Sequence, residues 1–158
     1  MKVFAVRLKP NDDLKHSLKR FAAEKNLLAG CMVTTVGSLH QASLRFANRA
    51  VPTVLKQKFE IMSLTGTLSI HGVHLHLAVA DKTGRVIGGH LEAGCLIYTT
   101  AEIVVAELPH YLFQRELDRA TGYQELVVRC STEEQSRTLG SSPRSCRSRK
   151  SSHREPND

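Results

Sequence analysis

Apolar and polar residues alternate through most of the first 130 positions, in short runs separated by turn-forming residues. One segment departs from that rhythm. Leu14, Leu18, Phe21, Ala22 and Leu28 recur at helical spacing, with Lys15, Lys19, Arg20 and Lys25 largely outside their face. Asn11, Asp12 and Asp13 offer an N-cap and acids suited to a helix start, and Gly30 offers a stop free to take positive φ. A helix is therefore expected from this cap to Leu28.

Strand-like runs account for most of the rest. The opening MKVFAVRL reads as a first strand, and Cys31–Val36 and Ser43–Ala47 read as strands flanking a Gly37-Ser38 turn. Phe59–Leu64, Thr65–Ile70, Val73–Ala80, Val86–Leu91, Cys95–Thr100 and Ile103–Glu107 continue the pattern. Pro109 interrupts it; residues 110–121 are expected to form a short C-terminal helix, and Glu125–Arg129 a last strand. One longer N-terminal helix, a short C-terminal one and about six to eight short strands give an α+β domain on a mainly antiparallel sheet.

The pattern stops after Cys130. Residues 131–158 contain eight serines, no aromatic residue and almost no aliphatic one. Such a segment buries too little apolar surface to offset its ordering entropy. The chain thus divides into a globular domain, residues 1–130, and a disordered Ser/Arg-rich tail, residues 131–158. The run Arg144–Lys150 (RSCRSRK) resembles a weak nuclear-import or nucleic-acid patch or a phosphorylated Ser/Arg tail, although a solvated tail with no assigned role accounts for it better.

Charge changes this picture little. The net charge is +7, and residues 1–130 hold 16 Lys and Arg against 11 Asp and Glu. A mildly basic surface attracts polyanions without naming one. Neither a bilayer-spanning apolar run nor a signal-peptide stretch is visible, so an intracellular, cytoplasmic location is expected, with the nucleus as the alternative. Cys31, Cys95, Cys130 and Cys146 form no CxxC pair and read as free thiols.

The candidate chemistry lies in HGVHLHLAVADKTGRVIGGHL, residues 71–91. His74 and His76 are two apart in a strand, so both side chains leave one face. Asp81-Lys82-Thr83-Gly84 suits a type I turn followed by a Gly bulge, which pairs Asp81 with Arg85. His90 then falls opposite His76, and Glu92 opposite His74. A two-residue loop would send His90 to the other face, but Lys-Thr lacks the residues such loops require. Three imidazoles with a fourth position left to a ligand is the pattern of a catalytic or ligand-binding zinc site; nickel, copper and ferrous iron suit imidazole too. Cross-strand polar contacts on a half-exposed face are the competing account. His71, beyond Gly72, is expected outside the cluster, and His16 and His40 show no partners.

Several segments together resemble one family. GSLHQASLRFAN (37–48), FEIMSLTGTLS (59–69), HLHLAVADKTGRVIGGHLEAGCLIYTTAEIVV (74–105) and FQRELDRATGYQELVV (113–128) are similar to the plants-and-prokaryotes conserved (PPC) domain, in order over residues 3–129. The resemblance implies a homotrimer with a mainly antiparallel sheet. It also implies that His74, His76 and His90 match the histidines that bind a metal, usually zinc, in prokaryotic-type members. In land plants the domain follows AT-hooks in nuclear DNA-binding proteins, and a motif beginning Gly-Arg-Phe-Glu contacts their partners. Here Phe59, Glu60 and Ile61 match that motif, but Gln57-Lys58 stand in place of Gly-Arg. No Gly-Arg-Pro core occurs, so the AT-hook's entry into an A·T-rich minor groove does not carry over.

Two functions follow. The first is a small metal-binding homotrimer that binds, or acts on, a small anionic or carbonyl ligand, self-association and that ligand being its partners. Zinc or another divalent transition metal would be its cofactor. Arg45 and Glu60 are candidates to orient the ligand or move a proton, with an internal salt bridge as the plainer account. Glu92 is a candidate acid behind the histidines or a general base. The second is a DNA-associated or transcription-related protein-interaction module, as in the plant members. No Ser/His/Asp, Cys/His or phosphate-loop motif competes, and a binding role and a catalytic one both fit these residues.

Overall fold

The computed structural model describes residues 1–130; the tail expected over residues 131–158, with its RSCRSRK patch, lies outside the described residues. Helix α1 spans Leu14–Glu24, and the Asp13 side chain caps it by accepting from the His16 backbone N–H. It ends earlier than its spacing predicts. Lys25 closes it and Asn26 takes φ 47°, a left-handed conformation that Asn tolerates better than most residues. That turn brings Leu27 into the core and leaves Leu28 exposed. Gly30 is not the stop; it opens a strand, where a Cβ would meet Leu27 Cδ2 at 2.8 Å.

Among the described residues nine strands accompany this helix: β1 (Lys2–Leu8), β2 (Gly30–Arg45), β3 (Thr53–Leu55), β4 (Phe59–Ser69), β5 (Gly72–Ala80), β6 (Val86–Leu91), β7 (Leu96–Glu107), β8 (Tyr111–Leu117) and β9 (Gln124–Cys130). A 7-stranded antiparallel sheet runs β1-β7-β2-β4-β5-β6, with β3 alongside β2. The path folds back on itself, because β6 also pairs with the end of β2 through Leu44↔Leu91 and Arg45↔His90. The α+β class and the mainly antiparallel sheet are as expected.

Two details are corrected. Several pairs of expected strands are single long ones, and in β2 a bulge, not a turn, follows Gly37. At Gly37 the chain keeps going in β2 with φ +149°, and a Cβ there would sit 2.2 Å from the Thr100 carbonyl oxygen. β4 and β7 likewise run through Leu64–Thr65 and Thr100–Ala101. The second correction concerns residues 110–121, which hold a strand in place of the expected short helix. β8 pairs with β9 from Tyr111↔Cys130 to Leu117↔Gln124. The helix-forming Gln, Arg, Glu and Leu of this stretch are overridden by a complete ladder and by Phe113, which is 7% exposed.

Leu14, Leu18 and Phe21 of α1 share one core with Leu39, Leu64, Leu75, Leu77, Val79, Leu91 and Ile97 of the sheet. Phe4 meets Phe21 edge-on at 5.5 Å, which partly compensates for a chain without tryptophan. The β8–β9 hairpin is tied to this body through Phe113 N–H, which donates to Leu28 O (2.9 Å), and Ser69 Oγ, which donates to Phe113 O (2.9 Å). Cys31 and Cys95 are free thiols as expected, whereas Cys130 is disulfide-bonded, against the inference from residue spacing alone. No helix among the described residues is long and apolar enough to cross a membrane.

Candidate metal centre

The turn between β5 and β6 has the geometry its residues dictate. Asp81 N–H donates to Arg85 O (3.0 Å) and Gly84 N–H to Asp81 O (2.9 Å), with Gly84 at φ +82°. The Asp81 carboxylate holds the loop by accepting from Thr83 N–H (2.8 Å), Thr83 Oγ1 (2.6 Å) and Arg85 N–H (3.1 Å). These bonds, Thr83's first, keep its carboxyl below the usual carboxylate range. The register that follows is unbroken from Ala80↔Val86 to His76↔His90. Gly88 and Gly89 add no bulge. They allow close backbone approach instead: a Cβ at Gly89 would lie 2.9 Å from Arg45 O, where β6 meets β2.

Alternation does the rest. Leu75, Leu77 and Leu91 are 2%, 1% and 1% exposed on the core side, so their neighbours His74, His76 and His90 emerge together on the other. Ring centroids are 5.3 Å apart for His74–His76, 5.0 Å for His74–His90 and 5.7 Å for His76–His90. One nitrogen from each ring lies within 4.8 Å of the other two. Tetrahedral zinc at about 2.0–2.1 Å from each nitrogen would need them about 3.3–3.4 Å apart. Burial, and then the neighbouring cations, hold His90 down to about 4 despite Glu92. Burial, Arg115 and His76 hold His74 below the usual range as well. Both are neutral at pH 7, the form in which imidazole binds a metal. The donor set therefore fits a divalent transition metal.

The other expected residues divide. Glu92 does not pair with His74, because the β5–β6 ladder ends at His76↔His90 and Glu92 N–H turns to Ser43 O. Its carboxylate nonetheless stands by the cluster, 3.7 Å from His90 Nε2, 3.6 Å from Arg45 Nε and 2.7 Å from Lys15 Nζ. Burial raises its pKa, but Lys15, His90 and Arg45 together outweigh that and lower it. Arg45, paired with His90 across β2–β6, is thus both a salt-bridge partner and a wall of the site. Glu60 is not brought there. It is exposed on β4 opposite Ala80, five residues along from Thr65, which faces His76. His71 lines the adjoining cavity but not the cluster, His40 Nε2 lies 3.0 Å from Asn11 Oδ1, and His16 Nδ1 lies 3.8 Å from Asp13 Oδ1.

Sequence reasoning missed Arg115. From β8 it reaches over the histidine face, with Nη2 donating to Thr67 Oγ1 (2.9 Å) and Nη1 3.4 Å from His74 Nδ1. Together with Arg45, His74, His90, Tyr123 and Glu125 it lines a cavity of ≈ 720 Å³. The alternation of Tyr111, Phe113 and Arg115 was the available signal, hidden by the helical reading of that stretch.

Comparison with known proteins agrees with the resemblance. The Plants and Prokaryotes Conserved (PCC) domain matches residues 1–109. Over 128 residues the chain is 53% identical to the bifunctional protein GlmU of Synechococcus sp. (strain JA-3-3Ab), covering 81% of this chain but 21% of that one. The chain thus spans about a fifth of this curated relative's length. Among solved structures, a hypothetical protein from Salmonella enterica is 38% identical with a TM-score of 0.81, over 83% of this chain and 95% of that one. A metal-containing protein from Archaeoglobus fulgidus is 26% identical with a TM-score of 0.71, over 80% and 94%. A protein from Bacteroides thetaiotaomicron, named as a candidate DNA-binding protein, shares the fold at 23% identity and TM-score 0.68, over 80% and 90%. Its sequence match and its fold agree: the chain belongs to the Plants and Prokaryotes Conserved domain family.

Proposed function

We propose that this protein is a metal-binding homotrimer whose histidine cluster holds zinc, or another divalent transition metal, and through it a small ligand. The observation that carries the reading is the convergence of three imidazoles, one nitrogen of each within 4.8 Å of the others. The metal-containing Archaeoglobus fulgidus relative, 26% identical, supports it. His74, His76 and His90 would hold the metal, leaving one tetrahedral position for the ligand. When bound, the metal supplies Lewis-acid polarisation of a ligand oxygen. Glu92, beside His90 Nε2, orients that ring, and Lys15 and Arg45 keep the carboxylate ionised. The homotrimer draws support from the outer face of β1, β7 and β2, where Val3 and Val36 are 53% and 57% exposed beside Ala5 and Val104.

Elemental analysis of the purified protein tests the reading, with His76→Ala as control. One metal per chain in the wild type and a marked loss in the variant are expected; wild-type protein without stoichiometric metal refutes it. Sedimentation of the same sample reads the assembly, and a monomer at micromolar concentration refutes the homotrimer. A DNA-associated role is the second reading, favoured by the net charge of +7. It predicts a salt-sensitive mobility shift with A·T-rich duplex, and no shift at low salt refutes it.

A further inference from the structure

If His74 holds a metal, one contact in the cluster must give way. Arg115 Nη1 lies 3.4 Å from His74 Nδ1. A guanidinium has only N–H donors, so Nδ1 takes part as a bare acceptor, and the single proton of neutral His74 is on Nε2. Ligation needs a bare nitrogen. A metal on Nδ1 uses the lone pair that Arg115 faces. A metal on Nε2 moves the proton to Nδ1, and two N–H groups then confront each other. Either route ends the Arg115–His74 contact. The Nη2–Thr67 bond at 2.9 Å involves neither nitrogen, so the guanidinium stays tethered beside the cluster with Nη1 released.

Resting on the metal-binding reading, we propose that metal loading converts Arg115 into the ligand-recognising arm of the site, and that the ligand is a small carboxylate. One carboxylate oxygen would take the remaining metal position, and the other would accept from Arg115 Nη1. The neighbouring cations are already engaged: Glu92 lies 2.7 Å from Lys15 Nζ and 3.6 Å from Arg45 Nε. Arg115 is the cation whose contact the metal displaces. Glu125 shares the cavity wall with Arg115 and His74, so a second negative charge on the ligand meets repulsion there. A monoanionic carboxylate therefore fits better than a phosphate dianion. The charge-assisted, two-point attachment supplies its affinity.

The test is to load the full chain with cobalt(II) and titrate acetate, acetamide or inorganic phosphate, following the visible ligand-field absorption. Acetate is expected to alter the wild-type spectrum and acetamide to leave it unchanged, with phosphate binding more weakly than acetate. Arg115→Gln is expected to keep its cobalt, at an affinity no lower than wild type, and to weaken acetate binding about tenfold or more. Arg115→Lys, which keeps the charge but not the fork, is expected to weaken acetate less; it carries the test if circular dichroism finds the Gln variant unfolded. Acetate binding that is indifferent to both substitutions overturns this proposal and leaves the metal reading intact. Phosphate binding as tight as acetate overturns the carboxylate assignment. Wild-type protein that takes up no cobalt overturns both readings together.

Discussion

Gly66 sits at the middle of the β4–β5 ladder opposite Leu75, between the pairs Thr65↔His76 and Thr67↔His74. Its φ is +136°, and a Cβ there would lie 2.0 Å from the His74 carbonyl oxygen and 3.0 Å from Leu75 Cα. Neither obstacle is the end of a flexible side chain, so Gly66→Ala must move backbone. Gly84 provides the comparison: its φ is +82°, but a Cβ there meets nothing within 4 Å. Gly84→Ala therefore bears the conformational cost alone, about 1–2 kcal/mol. Gly66→Ala bears a cost of that kind plus the parting of two strands and the loss of ladder hydrogen bonds, each worth about 1 kcal/mol. The expected destabilisation of Gly66→Ala is about 3–5 kcal/mol, some 2 kcal/mol or more beyond Gly84→Ala. Urea unfolding of the two variants beside wild type, without metal, measures the difference. Because the displaced oxygen belongs to His74, Gly66→Ala should also weaken metal binding, and Gly84→Ala should not, provided both still fold. If the two variants are equally stable, the close approach at residue 74 is not there, and the placement of the histidines built upon it falls too.

Other consequences concern protonation. The gap between about 4 for folded His90 and its ordinary 6.5 is worth about 3 kcal/mol, and its side chain is only 19% exposed. Because the folded value is the lower one, the unfolded chain binds the extra proton. That stability is complete above pH 6.5 and is lost as pH falls toward 4, with His74 adding in the same direction. Chelator-treated wild type should lose urea stability across that window and His90→Asn should lose distinctly less; parallel pH profiles would contradict this. Cys95, 0% exposed and bonded to Ser43, has its thiol pushed up to about 11, chiefly by burial. It should stay unreactive toward a thiol reagent at pH 8 until the chain unfolds, and prompt labelling of Cys95 in native protein, located by mass spectrometry, would count against the packing described here.

The histidine cluster was legible because each step toward it is local. Alternation places His74 and His76 on one face, Asp81 and Gly84 specify the loop, and the loop fixes the partner of His76 as His90. The errors arose where a local signal has two meanings. Gly37 signals a turn, but it can equally be the one residue able to pass Thr100 at a bulge. Leu27 and Leu28 are equally apolar, and the left-handed Asn26 between them and the helix decides which is buried. Glu92 went astray for a related reason: extrapolating the β5–β6 ladder past His90 ignores β2, which captures the Glu92 backbone through Ser43.

Arg115 shows the limit of that local reading most clearly. Its contacts with Thr67 and His74 span 48 and 41 positions, and no periodicity within residues 110–121 encodes them. They depend on Phe113 reaching Leu28 and Ser69, so that a second small sheet covers the histidine face. Read as a helix, that stretch would direct Arg115 by a period of 3.6 and leave the cluster open to solvent on that side. Read as a strand, it puts a fixed cation beside the cluster, where burial and neighbouring positive charges disfavour protonation of His74 and His90. A metal that displaced Arg115 from His74, as proposed above, would add positive charge beside Arg45 and Arg115. The missed strand thus changes the proposed chemistry, because it sets three candidate ligands in a cavity walled by Arg45 and Arg115, where a bound metal would favour an anionic partner.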